Sequence, residues 1–219
     1  MKKERYIFPD SLHAFANKML SLTAEFRQRE SARHLRPDHA ALLVLDVQRY
    51  FLDPASHAFI PSAPAILSNI GKLIQVFANR GRPVIFTRHT NTPADAGQMR
   101  NWWRNLLAPD TPDSAIVPEL DTMHGIVLEK HQYDAFYKTE LEEILRAQHT
   151  EDVVVTGVMT HLCCETTARS AFMRGFRVFF IVDGTATYTE AFHRATVINL
   201  AHGFAVLARA DEILEVWAR

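Results

Sequence analysis

The feature that rules out most folds for this chain is a rhythm. Unbroken apolar runs of strand length alternate with longer stretches whose apolar residues recur at helical spacing. The first run is AALLVLDV, residues 40–47. A strand apolar at nearly every position cannot turn one face to water, so it belongs in a sheet covered on both sides. RPVIFT (82–87), GIVLEK (125–130), VVVTGV (153–158), RVFFIVD (177–183) and FAVLA (204–208) bring the expected strands to six. Helical patterns lie between and after them, over 62–80, 138–148, 164–174, 190–202 and 211–218. Gly81, Gly175 and Gly203 follow three of these, where a helix C-terminal glycine belongs. Strand, helix, strand in repetition predicts an α/β fold: a three-layer, doubly wound, Rossmann-like sheet, six-stranded and mostly parallel. Ligands of such sheets bind beyond the carboxyl ends of the strands.

The expected organisation is an N-terminal arm over 1–35, part helical along SLHAFANKMLSLTAEFRQRE, followed by one domain over 36–219. A chain of 219 residues with 47% apolar and 22% charged side chains suits a single α/β domain. A formal net charge of −1 gives no reason to expect a nucleic-acid or membrane-surface partner. No apolar segment is long enough to span a bilayer. The N-terminus starts basic but has no apolar core behind it, so no signal peptide is expected. Cys163 and Cys164 are neighbours and cannot staple distant parts of the fold, which points to free thiols and a cytoplasmic location. The long connection over 88–124 contains NWWRNLL, read as one short helix; connections of that length are usually functional.

Three strands carry reactive side chains at their carboxyl ends. Asp46 closes the first, Lys130 closes the third, and Cys163 follows the fourth after a short loop. Each alone has a bland reading: a turn residue, a solvated strand-end charge, a small buried hydrophobe. On parallel strands of one sheet they converge on one crevice. A thiolate is favoured by a helix N-terminus and a nearby ammonium, which predicts a lowered pKa for Cys163. Asp46 is placed to take the thiol proton and return it to a leaving amine. The loop before Cys163 offers backbone N–H groups for an oxyanion. Neither His131 nor His161 sits where a catalytic role is required.

These residues stand in segments that resemble the isochorismatase-like cysteine hydrolases, a family with nicotinamidases and N-carbamoylsarcosine amidohydrolase among its members. The matching pieces, in family order, are ALLVLDVQRYF, GRPVIFTRH, VLEKHQYDAFYKTELEEILR and VVVTGVMTHLCCETTARSAFMRGFRVFFIVDGTAT, together covering roughly 36–208. The resemblance implies an Asp–Lys–Cys triad of Asp46, Lys130 and Cys163, with Cys164 as core packing. It implies a cis peptide at Val158–Met159 and an oxyanion site built from the Met159 and Cys163 N–H groups. Dimers or tetramers are usual in the family, and the arm is a candidate for packing on a neighbour.

The departures matter as well. Nicotinamidases carry a metal site with an Asp-x-His pair after the first strand; here FLDPASHAFIP places Asp53 and His57 at another spacing, with His89 as one further candidate. No metal and no cofactor is expected. True isochorismatases replace the nucleophilic cysteine with glycine, whereas this chain keeps the thiol and shares with them His161 and Cys164. Their glutamine after the second strand is His89 here, and only Arg88 and Arg100 are candidates for their carboxylate-binding arginine. The expected activity is hydrolysis of a C–N bond in a small amide, ureido or carbamoyl compound through a Cys163 thioester. Gln48, Phe51, His89, Trp102, Trp103, Tyr133, Phe136, Tyr137, Thr160 and His161 are the expected substrate-binding residues, with the tryptophan pair as an aromatic lid. Two other readings stay open at this point: an isochorismatase-type vinyl-ether hydrolase with Asp46 as acid, and a non-catalytic binding or assembly subunit.

Overall fold

The computed structural model describes residues 2–26 and 34–218. Its six strands are β1 (Ala40–Leu45), β2 (Val84–His89), β3 (Ile126–Lys130), β4 (Asp152–Val158), β5 (Arg177–Ala186) and β6 (Val206–Ala208). They pair in parallel throughout, in the order β3-β2-β1-β4-β5-β6. The longer helices are α1 (Leu12–Ser21), α2 (Leu67–Asn79), α3 (Leu141–Ala147), α4 (Glu165–Met173), α5 (Glu190–Gly203) and α6 (Ala210–Ala218). No helix among the described residues is long and apolar enough to cross a membrane.

Burial follows the apolar runs. Every residue of β1 and β4 is buried, as strands sandwiched between helical layers must be. β3 lies at the sheet edge, where Ile126 and Val127 remain nearly half exposed, and only its last residue, Lys130, is sealed. The helical pattern over 62–80 begins as a tight turn, Ala63–Ile66, with Pro64 in its first positions, before α2 proper. β5 runs three residues beyond the expected RVFFIVD, because its pairing with β4 resumes at Gly157↔Thr185 and Val158↔Ala186 after a register shift.

The described part of the N-terminal arm is packed on the domain. α1 buries Leu12, Phe15, Ala16, Met19 and Leu20 in the same apolar core as the sheet, joined by Ile7. The Glu4 N–H donates to the Tyr188 carbonyl at 2.9 Å, tying the segment to the chain just past β5. The part of the expected helix over 27–30 lies outside the described residues.

Topology sets the crevice. The chain moves outward from β1 through β2 to β3, then returns to lay β4 against the other side of β1. Loops leaving β1 and β4 therefore diverge, and the space between them is the place where parallel sheets bind ligands. Gly157 lets the strands close at this point. Its φ is +113°, and a Cβ there would lie 2.1 Å from the Leu45 carbonyl oxygen.

Candidate active site

Asp46 leaves β1 with φ +52°, a left-handed conformation that aspartate tolerates better than most residues. Its N–H donates to the Thr87 carbonyl (3.2 Å) and to the Thr87 hydroxyl oxygen (3.1 Å). That hydroxyl in turn donates to Asp46 Oδ1 at 2.6 Å. The turn and the threonine on β2 thus aim the carboxylate across the crevice.

Lys130 comes from the far side, the end of β3. Its stem lets a residue two strands away from β1 reach the centre. The ammonium is fully buried and makes three contacts: Asp46 Oδ2 at 2.8 Å, the Gln132 carbonyl at 2.8 Å and Cys163 Sγ at 3.5 Å. Two of these are hydrogen bonds, to the Gln132 carbonyl and the Cys163 sulfur, and the third is a close ion pair. Asp46 Oδ2 has the cation beside it but no well-aligned hydrogen-bond donor.

Cys163 sits in a one-turn π-helix, Thr160–Cys164, that runs directly into α4. The Leu162 and Cys164 N–H groups both donate to the Met159 carbonyl, at 3.0 and 3.2 Å, which folds the turn back onto the end of β4. The Val158–Met159 peptide is cis, as the resemblance implied. Cys163 is 6% exposed and faces the cleft, whereas Cys164 is fully buried and points its thiol at the Thr156 carbonyl. One thiol meets the cleft and its neighbour packs.

The electrostatics differ from the expectation of a lowered thiol pKa. Burial pushes the Cys163 thiol up, and the Asp46 carboxylate adds to that, so the Lys130 ammonium only partly offsets them. Burial also acts to raise Asp46, but the Lys130 charge, His89 and a hydrogen bond from the thiol outweigh it, and the carboxyl ends below its ordinary value. For Lys130 burial is likewise outweighed, here by the two acidic neighbours, and its pKa is raised. The resting state is therefore thiol, carboxylate and ammonium. A helix start cannot rescue a thiolate in a site this dry when an anion already occupies it.

Above the thiol lies a partly open cleft with a largely apolar lining. Of the expected substrate-binding residues, Phe51, His89, Trp103 and Tyr133 line it. The Trp103 indole N–H donates to the Tyr133 hydroxyl at 2.9 Å, joining two walls. His89 is held neutral, its pKa lowered to about 4 by burial and by the Lys130 charge, and its Nδ1 has no hydrogen-bond partner.

Other expected residues are placed elsewhere. Trp102 is 80% exposed, because it ends a single surface turn, Met99–Trp102, and points away from its neighbour Trp103. Phe136 packs in the core against Phe176, and Tyr137 is half exposed; neither lines the cleft. Gln48 is a buried clamp. Its amide donates to the His89 and Ser114 carbonyls and accepts from the His89 N–H. Thr160 and His161 begin the turn that carries Cys163 but lie outside the cleft lining, with the His161 ring stacked on Phe192. Sequence reasoning missed Tyr50, Asn91, Asn105, Leu106, Leu107 and Leu162. The available signal was the apolar pair in NWWRNLL: helix ends at Trp102, and the rest of that motif folds inward as cleft wall.

The isochorismatase domain family matches residues 40–212. The chain belongs to the isochorismatase family. It is 43% identical to nicotinamidase 3 of Arabidopsis thaliana over 179 residues, 80% of this chain and 86% of that one. The crystal structure of a cysteine hydrolase from Pseudomonas syringae superposes with a TM-score of 0.80 at 26% identity, covering 84% of this chain and 94% of the other. N-carbamoylsarcosine amidase from Thermoplasma acidophilum superposes with a TM-score of 0.69 at 28% identity, covering 78% and 96%. The six-stranded parallel sheet is the fold of these neighbours, and the chain is an isochorismatase-family hydrolase.

The Asp53 carboxylate accepts from the Ala55 N–H, and His57 Nε2 meets the Tyr50 hydroxyl at 3.1 Å. No group of three His, Cys, Asp or Glu side chains able to hold a metal ion occurs among the described residues of this family member.

Proposed function

We propose that this isochorismatase-family hydrolase cleaves the C–N bond of a small, neutral amide or carbamoyl compound through a thioester on Cys163. The observation that carries the reading is the bridging position of Lys130, 2.8 Å from Asp46 and 3.5 Å from the Cys163 sulfur, at the base of an aromatic cleft. Cys163 attacks the carbonyl carbon as its proton passes to Asp46, so a thiolate need not exist beforehand. The Met159 and Cys163 N–H groups receive the oxyanion, and Lys130 balances the charge that leaves Asp46 as it is protonated. Collapse of the tetrahedral species expels ammonia or an amine, which takes the proton from Asp46. Water, deprotonated by the freed carboxylate, then attacks the thioester and releases the acid and the thiol.

The lining supports a neutral substrate. No arginine is among the cleft-lining residues: Arg88 pairs with Glu129 at 2.6 Å and Arg100 bonds to the Gly97 carbonyl. A guanidinium partner for an anionic substrate would have to come from Arg104, which lines the adjoining pocket past Tyr50, Asn105 and Leu107. The names of the similar proteins supply the first probes. Ammonia release is measured from nicotinamide, a neutral amide, and from N-carbamoylsarcosine as an anionic counter-probe, with intact-protein mass spectrometry for an acyl adduct. Turnover with an adduct on Cys163, both lost in Cys163→Ala, supports the proposal. Turnover of isochorismate that survives Cys163→Ala would replace it with the vinyl-ether reading, and no turnover of any probe would favour a binding subunit.

A further inference from the structure

The family match begins at residue 40, yet a side chain from the first ten residues reaches the underside of the nucleophile turn. The Tyr6 hydroxyl accepts from the Thr187 N–H at 3.0 Å and bonds to His193 Nδ1 at 3.0 Å. His193 is fully buried and kept neutral, its pKa pushed down to about 3 by that burial, and the imidazole tautomer sets which of the two donates in its contact with the phenol. Thr187 is fully buried, and its hydroxyl meets His161 Nδ1 at 2.6 Å. His161 belongs to the same five-residue turn as Cys163, and its ring lies flat on Phe192 of α5, centroids 4.3 Å apart. A continuous polar path thus runs from Tyr6 through Thr187 to His161, two residues before the thiol.

The start of that path is held as firmly as its end. The Tyr6 and Ile7 N–H groups both donate to the buried Ser62 hydroxyl oxygen, at 3.0 and 3.2 Å. The Tyr6 ring packs against Phe15 and His193. A tyrosine needed only to fill this apolar corner would not need its hydroxyl placed between a backbone N–H and an imidazole.

We infer that Tyr6, from outside the family domain, is a positioning residue that braces the Thr160–Cys164 turn and fixes the Cys163 sulfur relative to Asp46 and Lys130. The inference rests on Cys163 being the nucleophile. Positions of reacting atoms matter steeply, since a misplacement of about 1 Å costs on the order of a hundredfold in rate.

The test uses Tyr6→Phe, which keeps the ring and removes only the hydroxyl, and Thr187→Val, which keeps the backbone N–H and removes the link to His161. Two readouts are taken on the full chain, well below its melting temperature. One is kcat and KM on whichever probe amide is hydrolysed; the other is the alkylation rate of Cys163 by iodoacetamide, read by peptide mapping. Each single variant is expected to lower kcat about tenfold with KM unchanged, and to slow alkylation in parallel, a partial form of that positional loss. The double variant should lose little more than either single, because both cut one path. A Tyr6→Phe protein that melts earlier yet keeps wild-type kcat and alkylation rate would overturn the brace and leave a merely structural tyrosine. Alkylation reports on the thiol even if no probe amide is turned over, so the brace is tested independently of the substrate. Amide turnover lost in Cys163→Ala but untouched in Tyr6→Phe overturns the brace alone.

Discussion

Replacing Lys130 with methionine keeps the length and apolar stem of the side chain and removes its charge. In the native protein the ammonium meets Asp46, Cys163 and the Gln132 carbonyl, with both charged groups fully buried. Removing one partner of a buried ion pair costs about 3–5 kcal/mol, because the other charge is left unsolvated. Against a total stability of about 5–15 kcal/mol, that is a large loss at neutral pH. The pH dependence gives the loss a signature. In the native protein the Asp46 pKa is lowered, so its contribution is present above the unfolded value of about 3.9 and fades as pH falls through the folded value. In Lys130→Met, burial acts on Asp46 without the cation, and its pKa rises above the unfolded value. The variant then gains stability as pH falls through that raised pKa, because its folded state binds the extra proton. Lys130 itself has a raised pKa, so its contribution is complete below about 10.4 and is lost as pH climbs through the folded value. The gap between native and variant proteins should therefore be widest around neutrality and narrow as pH falls towards 5. Urea unfolding of both proteins across pH 5–8 measures it. A second variant guards against a chain too unstable to study. Asp46→Asn combined with Lys130→Met removes both charges and should be more stable at pH 7 than Lys130→Met alone. A pH-independent gap, or a double variant weaker than the single, would refute the reasoning.

Asp46→Asn alone should keep the fold and reduce kcat about 10²- to 10⁴-fold, the usual contribution of a positioned acid–base group, and near-native turnover would remove Asp46 from the mechanism. Gly157→Ala should destabilise by at least about 2 kcal/mol, since the new methyl meets the backbone of β1 rather than a movable side chain; an unchanged urea midpoint would show that the two strands can separate there. We also propose that the chain forms a homodimer or homotetramer, on the family resemblance, and sedimentation at micromolar concentration returning the mass of one chain would end that proposal.

The sequence by itself determined the layers and the meeting of Asp46, Lys130 and Cys163. Runs such as AALLVL and VVVTGV are apolar at both parities, which leaves a two-sided burial as their only stable setting, and β1 and β4 are buried throughout. Asp46, Lys130 and Cys163 were legible because a parallel sheet carries the ends of its strands to one side, so a reactive residue at each end shares one crevice whatever the loops do. Cys164 was separable from Cys163 for a similar local reason: adjacent residues entering a helix point in different directions, one towards the cleft and one towards β4. What the tertiary structure decided was every property that depends on residues distant in sequence. Trp102 and Trp103 are indistinguishable as text, and only the single turn ending at Trp102 sends one to water and the other onto Tyr133. Phe136 is aromatic and near the site in sequence, yet Phe176 claims it for the core. The raised pKa of Cys163 could not be read from a helix start and a lysine, because burial and the distance to a carboxylate are sums over the whole fold. The same holds for Tyr6, 157 residues before the thiol whose turn it underlies: nothing local to it marks the contact, and only the closing of the N-terminal segment over β5 and α5 brings its hydroxyl to Thr187.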